Sequence, residues 1–194
     1  GAFVVSEADI GYGASVAPVA ALAQGANTIN LSAVDPAGNA GPSSTYNVTI
    51  DTAAPNAPAI TAVAENAGGG INATEAADGT LVSINLAGTG ALAGDRVLVN
   101  WRGQEAAYVL TGADITATKA DALVSASVLQ LAGNGTFNIS ALVEDQAGNR
   151  SGTSAAFANV TVNGVPPPAP NVQLSSSSDS GTLGDNRTND STPT

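Results

Sequence analysis

The 194-residue chain has no cysteine and no histidine, only 5 basic residues, and an aromatic content of 4%. Without cysteine there is no disulfide and no thiolate metal site. Without histidine it lacks the usual zinc ligand and the commonest general base, so its many serines and threonines have no imidazole to activate them. The 16 acidic residues set the formal charge at −11, which repels nucleic acid phosphates and anionic membrane surfaces. No continuous apolar run of about 18 residues occurs, and residues 1–25 carry no basic leader, so the chain shows neither a membrane span nor a signal peptide. What remains open is a hard, oxygen-ligated cation and a fold stabilised by its core.

What the chain does contain is repetition. The segment AFVVSEADI at 2–10 returns as AYVLTGADI at 107–115, VDPAGN at 34–39 as EDQAGN at 144–149, and YNVTIDTAAPNAP at 46–58 as ANVTVNGVPPPAP at 158–170. The spacing between copies grows from about 105 to about 112 residues, a period the size of one small domain. The first copy starts in mid-pattern and the last stops soon after it begins, so the expectation is a window cut from a longer tandem array. Proline clusters at 55–58 and 166–170 mark the junctions, because proline disfavours helix and central strand pairing. The expected division is the C-terminal part of one unit at 1–55, a complete unit at 56–166, and the start of a third at 167–194.

Within each unit the apolar residues alternate. Phe137, Ile139, Ala141 and Val143 share one face against Asn138 and Ser140; in the first copy Ile29, Leu31 and Ala33 stand inward against Asn30 and Ser32. A second alternation follows each turn, Val48 with Ile50 and Val160 with Val162. Further strands are expected at 58–63, 81–86, 96–101 and 107–110, whereas 112–122 and 129–133 read as loops crossing between sheets, and the three glycines at 68–70 as a loop. About seven short strands separated by turns predict an all-β fold of tandem immunoglobulin-like antiparallel sandwiches. Trp101, in phase with Val97 and Val99, reads as a core plug. The first copy has no counterpart of 59–106, so its sheet should expose an apolar face and an open edge. The polar tail at 175–194 should be turn-like, and mobile unless the next unit is present.

The acidic residues gather at turns and junctions. Asp35 and Asn39 belong to the first turn motif, Asp145 and Asn149 to the second, and Asp51 to the junction. Carboxylate and amide oxygens brought together at sheet ends suit calcium, which takes six to eight oxygen ligands in flexible geometry. Equally, an Asp at such a position closes a tight turn with its own side chain. Both readings stand on these residues.

The D-x-A-G-N turns and V-T-I-D-T-x-x-P junction, with INATEAADGT at 71–80 and SDSGTLGDNRTNDSTPT at 178–194, resemble the bacterial immunoglobulin-like repeats of giant type I-secreted adhesins. The resemblance covers essentially the whole chain. It implies a structural extender on the bacterial cell surface, secreted, used in attachment or biofilm formation, with calcium stiffening the domain junctions and neighbouring repeats of the same chain as partners. Carried over, it makes Asp35, Asp51 and Asp145 calcium ligands, with Asn39 and Asn149 adding oxygens or shaping the turn. Asn163 stands where Asp51 did, which lowers the charge at that junction. The competing function is a glycan- or protein-binding module using Trp101 and Tyr108 as a platform. Catalysis is not expected: Glu144 and Asp145 are adjacent on a strand and point to opposite faces.

Overall fold

The computed structural model describes residues 21–165, 168–170 and 172–192. The repeated segment at 2–10 lies outside them. A first pair of strands, β1 (Gly25–Leu31) and β2 (Ser44–Ile50), forms an antiparallel hairpin running from Gly25 opposite Ile50 to Leu31 opposite Ser44. Each strand alternates as the sequence predicts, but the hairpin has no covering layer among the described residues. Ile29 and Leu31 are therefore exposed, at 37% and 55%, and Ala33 is exposed as well. The expected apolar face and open edge are both present.

The rest of the fold is a two-sheet sandwich. Its strands are β3 (Ala59–Val63), β4 (Ile71–Asn72), β5 (Thr80–Asn85), β6 (Arg96–Trp101), β7 (Gln104–Val109), β8 (Lys119–Val124), β9 (Gly135–Glu144) and β10 (Phe157–Asn163). One sheet has the order β4-β10-β9-β6-β7, the other β3-β5-β8. All pairings are antiparallel except the short β10–β4 contact. Alternating residues of the two inner faces meet in one core: Val82 and Ile84 from β5, Ala120, Ala122 and Val124 from β8, Val97, Val99 and Trp101 from β6, Ile139, Ala141 and Val143 from β9. Trp101 is fully buried, opposite Ile139 in the ladder, which is the core position its spacing predicted.

Two segments depart from the sequence reading. Residues 112–122 are not a crossing loop: they hold helix α2 (Gly112–Ala117) and most of β8, after a first short helix α1 (Ala73–Asp78). Likewise 129–133 belongs largely to α3 (Ala126–Ala132). These helices are too short to stand alone. Side-chain caps and tertiary packing hold them. The Asn72 side chain accepts from the Thr74 and Glu75 N–H groups while Glu75 reaches back to the Asn72 N–H, a closed capping box. Thr111 and Asp114 make the same arrangement for α2. Leu129 and Ala132 pin α3 into the core.

The β10 ladder is interrupted between Phe157 and Val160, where Asn159 takes a left-handed backbone (φ 60°). The Asn66 amide fills the gap, accepting from the Thr161 N–H at 3.0 Å. The glycine loop at 68–70 brings Gly70 so close to β10 that a Cβ there would sit 2.5 Å from the Thr161 carbonyl. The tail at 172–192 is turns and bends, as its composition predicted.

Candidate functional site: the joint between hairpin and sandwich

The two turn motifs fold identically although only one is attached to a core. In the first, the Asp35 carboxylate accepts from the N–H groups of Ala37 (2.9 Å) and Asn39 (2.8 Å) through Oδ1, and from Asn39 Nδ2 (2.8 Å) through Oδ2. In the second, Asp145 accepts from Ala147 (2.9 Å), Asn149 (2.8 Å) and Asn149 Nδ2 (2.8 Å) at the same atoms. Gly38 and Gly148 both take φ 91°, a conformation that admits glycine without strain. Each Asp thus closes its own turn. The Asn39 side-chain amide is the first cause holding the Asp35 carboxyl below its ordinary value of 3.8, and the Asn149 amide does the same for Asp145.

The six residues singled out in the sequence separate by position. Asp51 follows the Gly25–Ile50 end of the hairpin, whereas the Asp35–Asn39 turn lies beyond its opposite end. In the sandwich, Asp145 and Asn149 lie beyond one end of β9, and Asn163 closes β10 beside Asn72 at the other. Three of the six converge on one joint. Asn149 Nδ2, besides bonding Asp145, donates to the backbone carbonyl of Asp51 at 3.1 Å, across 98 residues of sequence. Asp35, Asn39 and Asn163 stand apart from that joint.

Sequence reasoning missed the residues that hold the linker. Gln24 donates through Nε2 to Asp51 Oδ1 (2.8 Å), and its Oε1 accepts from both the N–H (3.0 Å) and the hydroxyl (2.9 Å) of Thr52. Farther along, the Asn56 N–H donates to the Thr89 carbonyl (2.8 Å) and Asn56 Nδ2 to the Gly88 carbonyl (3.0 Å), and Pro58 is buried. The linker is therefore bonded to the hairpin at one end and to the sandwich at the other. A signal was available: the spacing that aligns VDPAGN with EDQAGN also aligns Gln24-Gly25 with Asn134-Gly135.

Beside the joint, Glu144 is buried under a charge network. Arg96 and Arg150 both donate to its carboxylate, Arg150 Nε at 2.7 Å, and Arg150 also approaches Glu105 at 3.8 Å. The Arg96 guanidinium, then that of Arg150, hold the Glu144 carboxyl below its ordinary 4.5. This ties the base of the Asp145 turn to β6. Trp101, fully buried, offers no platform to a ligand.

A cation at the joint would depend on the oxygens that the joint supplies. Among the described residues no group of three or more acidic side chains converges. Among the described residues Asp51 Oδ2 accepts no bond; the Asp51 carbonyl, the Asn149 amide oxygen and Asp145 are the other oxygens of the joint, with Asp51 Oδ1 and both Asp145 oxygens already accepting hydrogen bonds. That chemistry fits a hard divalent cation, but it falls short of the six to eight oxygens calcium takes, the balance being left to water.

No protein-family model and no curated protein matches the chain. Solved structures do. The chain is similar to part of a 1.5-MDa bacterial ice-binding adhesin, with 25% identity and a TM-score of 0.39 over 73% of this chain and 43% of that one. It is similar to a Ca2+-stabilized adhesin that helps an Antarctic bacterium reach out and bind ice, with 24% identity and a TM-score of 0.39 over 72% of this chain and 32% of that one. A bacterial immunoglobulin-like domain from the M. primoryensis ice-binding adhesin matches at 21% identity and a TM-score of 0.36, covering 57% of this chain and 99% of that one. The structural neighbours are thus bacterial immunoglobulin-like adhesin domains, and the chain spans less than half of the first two.

Proposed function

We propose that the chain is a structural extender of a bacterial surface adhesin, in which units of about 110 residues follow one another through short proline-bearing linkers and keep their angles. The observation that carries this reading is the bonded linker: Asp51 at the end of one copy of the repeat meets Asn149 of the next. A spacer needs a stable core, polar outer faces and restrained joints. The sandwich has the first, the net charge of −11 favours solubility, and the linker contacts supply the third. The division at 1–55, 56–166 and 167–194 belongs to this reading, as does attachment or biofilm formation at the cell surface after type I secretion. Nothing in it calls for catalysis.

Calcium is the cation proposed for the joint, held by Asp51, Asp145 and Asn149, with waters completing its shell. Bound there, it would add a charge shared by two units to the hydrogen bonds that already cross the joint. Asp35 and Asn39 would serve the joint with a preceding unit, and Asn163 a weaker joint with a following one. At calcium ten to a hundred times Kd, a site would add about 1.4 to 2.7 kcal/mol to the folded form. The test is thermal unfolding in chelator, in calcium and in magnesium, paired with small-angle scattering. A midpoint that rises in calcium alone, with an extended particle, supports the reading; an unmoved midpoint removes the cation, and a compact particle in every condition removes the spacer.

A further inference from the structure

We propose that the first joint is a direct lock that holds its angle without a cation, with Gln24 and Asn149 as its positioning residues, and that the second joint is built looser by the same design. This rests on the extender reading and adds to it the origin of stiffness.

The argument comes from the repeat read at the level of atoms. Gln24 and Asn134 occupy equivalent positions, each just before a glycine with positive φ, Gly25 at 94° and Gly135 at 142°. Each places a side-chain amide oxygen on the N–H of the residue that follows the junction position, Asp51 or Asn163: Thr52 N–H to Gln24 Oε1 at 3.0 Å, Gly164 N–H to Asn134 Oδ1 at 3.0 Å. The same clasp therefore forms twice, in two sequence contexts. It fixes the direction in which the chain leaves a unit, because the N–H it captures belongs to the first residues of the linker.

The two clasps differ in what surrounds that shared bond. At the first, Gln24 Nε2 also holds the Asp51 carboxylate at 2.8 Å, the Thr52 hydroxyl adds a bond at 2.9 Å, and Asp51 Oδ1 accepts from the Ala53 N–H at 3.1 Å. At the second, glycine replaces the threonine, asparagine replaces both Gln24 and Asp51, and the companion among the described residues is the Val165 N–H on Asn163 Oδ1 at 3.4 Å. A bond to a charged carboxylate is also stronger than one to a neutral amide. At the first joint, moreover, the far side of the linker is held by Asn149 and Asn56. The contacts at the first joint use neutral amides against carbonyls and a single carboxylate, so they require no counter-ion.

Pulsed dipolar spectroscopy on the full chain tests this, since the absence of cysteine lets Tyr46→Cys on the hairpin and Leu123→Cys on the sandwich carry the only two labels. Both sites are exposed, at 69% and 50%. In chelator the parent chain should give one narrow distance distribution. Gln24→Ala and Asn149→Ala should each broaden it, the locked fraction falling relative to the unlocked by roughly fivefold for every bond lost. Gln24→Asn should fall between, and the melting of the sandwich should stay where it was in the Gln24 variants, which separates a loosened joint from an unfolded one; in Asn149→Ala it should fall slightly, because the bond to Asp145 is lost as well. At the second joint, with labels at Leu123→Cys and Leu183→Cys, Asn134→Gln combined with Asn163→Asp should narrow the distribution. A parent joint that is broad in chelator and narrows only in calcium overturns the lock and leaves the extender intact. A narrow distribution that neither Gln24→Ala nor Asn149→Ala moves also overturns the lock. Breadth in chelator and calcium alike overturns both.

Discussion

The hairpin β1–β2 and the pair β9–β10 are two copies of one sequence pattern in two environments. Ile29 is 37% exposed where its counterpart Ile139 is 1% exposed, and Leu31 is 55% exposed where Ala141 is 1% exposed. The turns that follow are the same to within 0.1 Å in the three bonds at their Asp carboxylates. The turn is a local structure, determined by Asp, Gly and Asn within five residues. Burial of the face is not local. It depends on β6 pairing along β9 and on the β3-β5-β8 sheet packed opposite, and the hairpin has neither among the described residues.

The largest effect expected from this difference is at the paired isoleucines. Ile139→Ala removes a fully buried side chain opposite Trp101 and should cost about 2 to 5 kcal/mol. Ile29→Ala, at the same place in the pattern, should stay within about 0.5 kcal/mol. Urea unfolding followed by Trp101 fluorescence measures both. Equal costs would mean that the hairpin face is covered after all, and the comparison would fail.

The same contrast explains what the sequence revealed. Strands with a strong alternation of Val, Ile and Leu against polar residues, such as β5, β6 and β9, were legible, as was the buried role of Trp101. Strand β8 was not, because its inward residues are Ala120, Ala122 and Val124, and alanine alternating with aspartate carries little period-two signal. Helices α1 and α2 span six residues each and α3 seven, less than two turns, so no amphipathic stripe can develop. Their capping residues, Asn72 with Glu75 and Thr111 with Asp114, were the available clue. At the joint, the sequence located Asp51, Asp145 and Asn149 through a repeated motif, but Gln24 lies outside any motif. Its role depends on a loop closure of 28 residues to Thr52, which only the hairpin register reveals.

Acid separates the copies next. The Glu144 carboxyl lies below its ordinary 4.5, chiefly through Arg96 and then Arg150, and Asp145 lies below 3.8, chiefly through Asn149. A lowered folded value means that the charged form is favoured by folding. Its contribution is complete above the unfolded value and disappears as pH falls through the folded one. The melting midpoint of the sandwich should therefore decline as pH drops below about 4.5. Glu144→Gln should begin lower at neutral pH and show a shallower decline. A variant with the parent's full acid slope would show that the arginine pair contributes nothing to folding.

A smaller effect is expected at the asparagines of the turns. Asn149→Ala loses the bonds to Asp145 and to the Asp51 carbonyl and should cost the sandwich about 0.5 to 1.5 kcal/mol. Asn39→Ala loses the same bond to its own Asp35, yet it should leave the cooperative transition of the sandwich where it is, because the Asp35 turn is not packed on that core. Differential scanning calorimetry distinguishes the two. If Asn39→Ala shifted the main transition, hairpin and sandwich would unfold as one unit.

The smallest effect should come from Val34→Glu, which writes the sandwich's Glu144 into the hairpin. Val34 is 61% exposed and bridges Ala40, just as Glu144 bridges Arg150. Among the described residues the charge has nothing to meet there: alanine stands where Arg150 does, and no strand equivalent to β6 brings an arginine in the place of Arg96. A surface substitution without partners stays within about 0.5 kcal/mol, so the melting midpoint should be unchanged and the acid slope unaltered. Adding Ala40→Arg would create one exposed pair, worth about 0.2 to 1 kcal/mol by itself, and only locally in the hairpin. A clear stabilisation by Val34→Glu alone would mean that a cationic group already faces β1. Position in the repeat would then predict function without the β6 strand, contrary to what the comparison of the two copies implies.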